Sequence, residues 1–112
     1  MTYDLESRTI NFSKLMLKYL RGNKISLHNE SIYRQVIRSA TSIGANYREA
    51  NGASSRKDFA YKIHICKKEV KETGYWLDLI LDIDGNNDIL QELISECKEL
   101  NLIFGKIAAS SH

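Results

Sequence analysis

Basic side chains are concentrated in the first two thirds of this sequence, and their chemistry is the easiest to interpret. Residues 1–71 carry 14 Lys and Arg against 6 Asp and Glu, whereas residues 72–112 carry 2 against 8, although the net charge is only +2. A basic surface can follow phosphate groups, and each contact releases counterions. The sequence therefore predicts a nucleic-acid-binding face that consists of Arg34, Arg38, Arg48, Arg56, Lys57 and Lys62.

The same charges are also compatible with roles that involve no nucleic acid. Charge runs are usually solvated faces, and positive and negative faces can also meet between subunits. Arg38 suits an internal salt bridge equally well, because it lies beside a stripe of polar residues described below. Tyr61 and Tyr75 could stack on bases, could be buried between copies of the chain, or could be ordinary surface tyrosines.

Combinations of residues that would support catalysis are weak. No Glu is followed three residues later by His, as it is in di-iron bundles, and His64 and Cys66 have no partners at the spacing of zinc ligands. Ser39 or Ser42 paired with His64 would lack an orienting residue and an oxyanion hole. No glycine-rich phosphate loop follows a strand. We therefore predict a protein that is not an enzyme and that has no cofactor and no metal site.

Turn residues divide the chain into four segments that must position these side chains. Glycine and asparagine cluster near residues 22, 52 and 85, and proline is absent from the whole sequence, which favours long helices. The predicted helices cover about 4–21, 29–51, 55–83 and 87–110. Ser55, Asn29 and Asn87 are the predicted caps of the last three helices.

Apolar residues recur every three or four positions in each segment, as they do in bundle helices. In the second segment these residues are Tyr33, Val36, Ala40, Ile43, Tyr47 and Ala50. Cys66 and Cys97 fall on the apolar seams at different levels, which argues against a disulfide. Because short connections make consecutive helices antiparallel neighbours, the predicted fold is all-α, a single antiparallel up-down-up-down four-helix bundle over residues 1–112.

The length and hydropathy of the chain limit its class. At 112 residues it has room for one domain. Its most apolar stretch, Tyr75 to Ile83, is interrupted by two aspartates and is far too short to cross a membrane. The first residues have neither the basic nor the apolar region of a leader peptide. We expect a cytoplasmic protein with no membrane partner.

A polar stripe runs beside the apolar seam of the second helix. Its members repeat every three or four residues: Gln35, Ser39, Ser42, Asn46 and Glu49. Small and hydrogen-bonding side chains let another helix approach closely, so the stripe, with Tyr61 and Tyr75, is a candidate interface between copies of the chain. A solvated helix face would show the same spacing. Glu49 and Glu72 are interpreted as buried partners of Arg38 or Asn46.

Several motifs of the chain resemble one protein family. QVIRSATSIGANYREA at 35–50, KDF at 57–59, EVKET at 69–73 followed by Trp76 and Leu77, and the opening Asp4-Leu5-Glu6 resemble the four-helix-bundle proteins encoded in intervening sequences of bacterial 23S rRNA genes. A related branch comprises the accessory variability proteins of diversity-generating retroelements, which act beside a reverse transcriptase. The resemblance implies a ring-like homopentamer and, by the usual proposal, nucleic-acid binding.

The chain departs from the common family pattern at two places. Arg48-Glu49-Ala50 stands where Ala-Glu-Gly is common, and Lys68-Glu69-Val70-Lys71 lacks a Gly-Ser pair that usually precedes the Glu. Both departures add positive charge and keep the helical pattern. We predict a non-enzymatic oligomeric protein that binds structured RNA or a nucleic-acid complex. The alternative is a protein-binding scaffold or accessory subunit, for example of a reverse transcriptase, that makes no contact with nucleic acid.

Overall fold

Four α-helices account for most of residues 4–111, the part of the chain that the computed structural model describes. The helices are α1 (Leu5–Arg21), α2 (Glu30–Asn51), α3 (Arg56–Asp84) and α4 (Asp88–Ser110), and no strand occurs among these residues. Each helix begins and ends within one residue of the segment expected from the sequence. The prediction of an all-α four-helix fold is confirmed.

Contacts between the helices show how they are arranged. Between α2 and α3, the pairs Glu49–Lys62 and Arg38–Glu72 advance along one helix as they recede along the other, so these helices are antiparallel. The same pattern joins α1 to α2 and α1 to α4. Each helix packs on two neighbours and not on the helix diagonal to it. The result is a square bundle of 44 × 25 × 19 Å.

The core lies along the apolar seams of the four helices. Met16, Ile43, Ile63, Leu77 and Phe104 are among its fully buried side chains. Burial of such large apolar groups is the main source of stability in a chain of this size. Most of the seam positions expected from the sequence are buried, and the others pack against the edge of the core.

Two of the three predicted helix caps are present in the structure. Ser55 accepts a hydrogen bond from the Asp58 amide at 3.1 Å, and Asn87 accepts one from the Leu90 amide at 2.9 Å, so both act as predicted caps. Asn29 does not, because its buried side chain points back and bonds the backbone of Lys24 and Ser26 instead. It therefore fixes the loop before α2 rather than the helix itself.

Candidate nucleic-acid interface

Arg38 belongs to an ionic cluster between α2 and α3. Its guanidinium donates to Glu69 Oε2 at 3.2 Å and also contacts Glu72. Ser42 Oγ donates to the same oxygen of Glu69 at 2.6 Å, and Trp76 Nε1 donates to Glu72 at 3.0 Å. Only 7% of the Glu69 side chain is exposed, so its charge needs this cation. Arg38 is therefore an internal partner of Glu69, and because half of its side chain is exposed, its contact with phosphate stays a prediction.

Arg38 pairs with Glu72, as the sequence predicts. Glu49, which the sequence predicts as a buried partner of Arg38 or Asn46, has a different partner. Glu49 is exposed and accepts a hydrogen bond from Lys62 Nζ at 2.6 Å, which raises the pKa of Lys62. The buried carboxylate of the cluster is Glu69, which sequence reasoning missed. Its position three residues before Glu72, on the side of α3 that faces α2, was the available signal.

The polar stripe of α2 follows the contact with α3 inside one chain. Ser39 is fully buried, and its hydroxyl accepts a hydrogen bond from Thr73 Oγ1 at 2.8 Å. Ser39 is therefore not available to a second copy and is removed from the predicted interface. Gln35, Ser42 and Asn46 are half-buried beside it. Whether these residues and Glu49 also contact another copy stays a prediction.

Two other predicted phosphate contacts are already paired with acids. Arg34 lies 3.2 Å from Glu30 on the same helix, and Arg48 lies 3.5 Å from Glu6 of α1. Both arginines are well exposed, and such surface pairs are weak. The neighbouring carboxylates nevertheless reduce the positive potential that these arginines, like Lys62, present to a polyanion.

Arg56 and Lys57 are exposed at the start of α3, and within residues 4–111 neither forms an ion pair. Lys57 begins an outward row at three- and four-residue spacing, which we name the α3 outer stripe. Its members are Lys57, Tyr61, His64, Lys68, Lys71 and Tyr75. The stripe extends over about 27 Å of helix, and the row then changes sign at Asp78 and Asp82.

The outer stripe combines free cations with exposed aromatic rings. Tyr61 is 64% exposed and Tyr75 is 58% exposed, and in the described part of the chain Lys68 and Lys71 have no carboxylate within ion-pair distance. Tyr75 packs edge-on against Trp76 with ring centroids 5.0 Å apart. Lysines can neutralise phosphates while tyrosines stack on bases. The 4-3-4-3-4 spacing can be read from the sequence, but the predicted phosphate contacts included the arginines of α2 instead of Lys68 and Lys71.

Two tyrosines and both cysteines are titratable groups buried inside the bundle. At one end of the bundle Asp84 accepts hydrogen bonds from the hydroxyls of Tyr19 and Tyr33. Burial, followed by the bond to Asp84, raises the pKa of Tyr19 to about 12 and raises that of Tyr33 further. Burial also raises the pKa of the free thiols of Cys66 and Cys97 to about 12. Neither thiol has the low pKa of a nucleophilic cysteine.

The described helices include none that is long and apolar enough to cross a membrane. Among the same residues, no three His, Cys, Asp or Glu side chains are grouped so that they could hold a metal ion.

This fold and its ionic cluster define a small antiparallel four-helix-bundle protein. The sequence pattern of the 23S rRNA-intervening sequence proteins matches residues 4–106, and the chain belongs to that family. The resemblance drawn from the sequence motifs is thereby confirmed.

The chain is similar over nearly its whole length to a solved structure. This is the crystal structure of a protein of unknown function from the S23 ribosomal protein family of Bacteroides thetaiotaomicron. The two chains are 31% identical with a TM-score of 0.78, and the match covers 92% of this chain and 96% of the other. No protein with a curated description is significantly similar in sequence. Neither the family description nor that of the solved structure names a reaction.

Proposed function

We propose that this protein is a non-enzymatic RNA-binding protein whose contact surface is the α3 outer stripe. The observation that carries the proposal is the row of unpaired lysines and exposed tyrosines on one helix face. Four of the six basic residues expected from the sequence are paired with carboxylates. Within residues 4–111 the other two, Arg56 and Lys57, form no ion pair, and neither do Lys68 and Lys71, which the sequence prediction omitted. Membership in a family described by rRNA intervening sequences supports RNA as the polyanion.

The electrostatics of the outer stripe set its expected behaviour. Each phosphate that a lysine neutralises makes the slope of log affinity against log salt more negative, by about 0.7 for a single strand. Phosphate contacts position a nucleic acid without specifying its sequence. The outer stripe is therefore expected to bind RNA tightly at low salt and weakly at high salt, with little dependence on sequence.

A pair of charge reversals tests this surface. Lys57→Glu with Lys68→Glu removes two cations from the outer stripe and is expected to weaken RNA binding about tenfold or more. The matched control is Lys14→Glu with Lys18→Glu, which changes the same charge on α1, the helix diagonal to α3. Fluorescence anisotropy with labelled RNA measures both, after circular dichroism has verified the fold. Equal losses in the two variants would contradict the assignment, and no binding by wild type at low salt would favour the scaffold alternative.

We further propose that the protein acts as a homo-oligomer, with five copies as the expected number from the family resemblance. Two large apolar side chains support an interface beyond the monomer, because Leu27 is 94% exposed and Leu102 is 64% exposed. The separation of basic and acidic residues along the chain also suits contacts between unlike faces of neighbouring copies.

A further inference from the structure

A groove of about 410 Å³ lies between α3 and α4, directly beside the outer stripe. Its floor includes the apolar groups of Val70, Leu77, Ile94 and Cys97. This volume is within the range of pockets that hold small ligands. The groove meets the outer stripe at Lys71 and Tyr75, which belong to both.

Gly74 keeps the groove open. A Cβ at this position would meet only Cys97 Sγ, at 3.8 Å, which is an ordinary van der Waals distance. Packing between the helices therefore does not require a glycine here. Glycine in a helix interior makes the helix less stable than alanine would. Gly74 therefore lowers the stability of α3, and its missing side chain leaves space above the floor of the groove.

The rim of the groove carries groups that suit one nucleotide. Tyr75 offers an exposed aromatic ring, Asn101 offers an amide that can both donate and accept hydrogen bonds, and Lys71 and Lys98 offer cations. Asp78 is the acidic group at the rim, so two cations face one anion. An apolar floor with a net positive rim is complementary to a base and its flanking phosphates.

We propose that this groove takes one unstacked base of a single-stranded RNA whose backbone follows the α3 outer stripe. Tyr75 stacks on the base, Asn101 bonds its edge, and Lys71 and Lys98 contact the adjacent phosphates. The inference rests on the proposed RNA binding and adds the class of RNA. Because paired bases cannot leave the helix without loss of stacking and pairing, the groove favours single strands and loops over duplex.

Two variants test the groove with an unstructured oligouridine and a blunt RNA duplex of equal length, both fluorescein-labelled. Wild type is expected to prefer the single strand. Gly74→Leu fills the groove and is expected to reduce single-strand affinity to that for the duplex, while duplex affinity is unchanged. Gly105→Leu is the matched control, because it adds the same side chain to α4 outside the groove, where a Cβ meets nothing within 4 Å, and it should bind as wild type does. Tyr75→Ala removes a mostly exposed ring that packs edge-on against Trp76, so it tests the stacking even where the leucine variant fails to fold, and should cost about tenfold on the single strand.

The outcomes separate the groove from the outer stripe. If Gly74→Leu and Tyr75→Ala leave single-strand binding unchanged while Lys57→Glu with Lys68→Glu abolishes it, RNA binding stands and the groove proposal is overturned. If wild type binds neither RNA, both proposals fall. A change of oligomer mass in Gly74→Leu, with RNA affinity intact, would overturn the proposal in favour of a second copy as the occupant.

Discussion

Arg38 shows how a residue chosen from the sequence as a phosphate contact can also stabilise a buried carboxylate of its own chain. Its guanidinium spans Glu69 and Glu72, and the Glu69 carboxylate is 7% exposed. Removing the cation leaves a buried anion whose remaining side-chain hydrogen bond within residues 4–111 comes from Ser42, and such uncompensated charges are costly. The sequence placed Arg38 beside the polar stripe and offered Glu72 as a partner, but it did not show that the buried Glu69 would meet the same guanidinium.

The first prediction follows from that burial. Arg38→Ala is expected to lower the free energy of unfolding by about 2 kcal/mol, less than for a fully buried pair because half of the Arg38 side chain is exposed. Arg34→Ala is the control, since its pair with Glu30 is exposed and should change stability by about 0.5 kcal/mol or less. Urea unfolding measures both. Equal effects would show that the Glu69 charge does not depend on Arg38.

The buried thiols make a prediction about alkaline pH. Burial raises the pKa of Cys66 and Cys97 to about 12, whereas an unfolded thiol ionises near about 8.5. The contribution of each thiol is complete below the unfolded pKa and is lost as pH rises toward 12, at about 1.4 kcal/mol per pH unit. A variant with both cysteines changed to alanine should lose stability less steeply above about pH 9. Identical slopes in denaturant titrations would place the thiols in contact with water.

At the scale of elements, the helix seams were readable because apolar spacing and turn residues are local signals. Apart from Arg38 with Glu72, the partners of charged residues could not be predicted, because Arg48 meets Glu6 of another helix and Lys62 meets Glu49 across a turn. The polar stripe of α2 did indicate a close helix contact, but its spacing could not tell α3 of the same chain from a second copy. At Ser39 the contact is with α3 of the same chain, because its buried hydroxyl accepts a hydrogen bond from Thr73.

The contact between α1 and α2 provides an element-scale prediction. A Cβ at Gly44 would lie 3.1 Å from Thr9 Oγ1 and 3.2 Å from Thr9 Cβ, so α1 would have to move outward. Gly44→Ala is expected to destabilise the protein by about 1 kcal/mol despite the better helix propensity of alanine. Gly105→Ala is the control, because a Cβ at that position of α4 meets nothing within 4 Å. It should stabilise the protein by about 0.5 kcal/mol or more. Thermal unfolding followed by circular dichroism would contradict the close packing if both variants gained stability.

At the scale of the whole molecule, the number of copies is the first quantity to measure. Five copies of 12.8 kDa give about 64 kDa. Light scattering after gel filtration is expected to give that mass, and Leu102→Ser should lower it if the exposed leucine lies in the interface. A dimer or tetramer would keep the interface and reject only the number. A 12.8 kDa monomer at micromolar concentration would contradict self-association.

The salt dependence of RNA affinity tests the proposed RNA-binding surface most directly, because it counts phosphate contacts. We expect a steep linear fall of log affinity with log salt for wild type. We also expect a slope shallower by about 1.4 for Lys57→Glu with Lys68→Glu, which removes two contacts of about 0.7 each. Lys14→Glu with Lys18→Glu should keep the wild-type slope. A wild-type slope near zero, or a slope that changes only in the α1 variant, would contradict an RNA-binding surface on the outer stripe of α3.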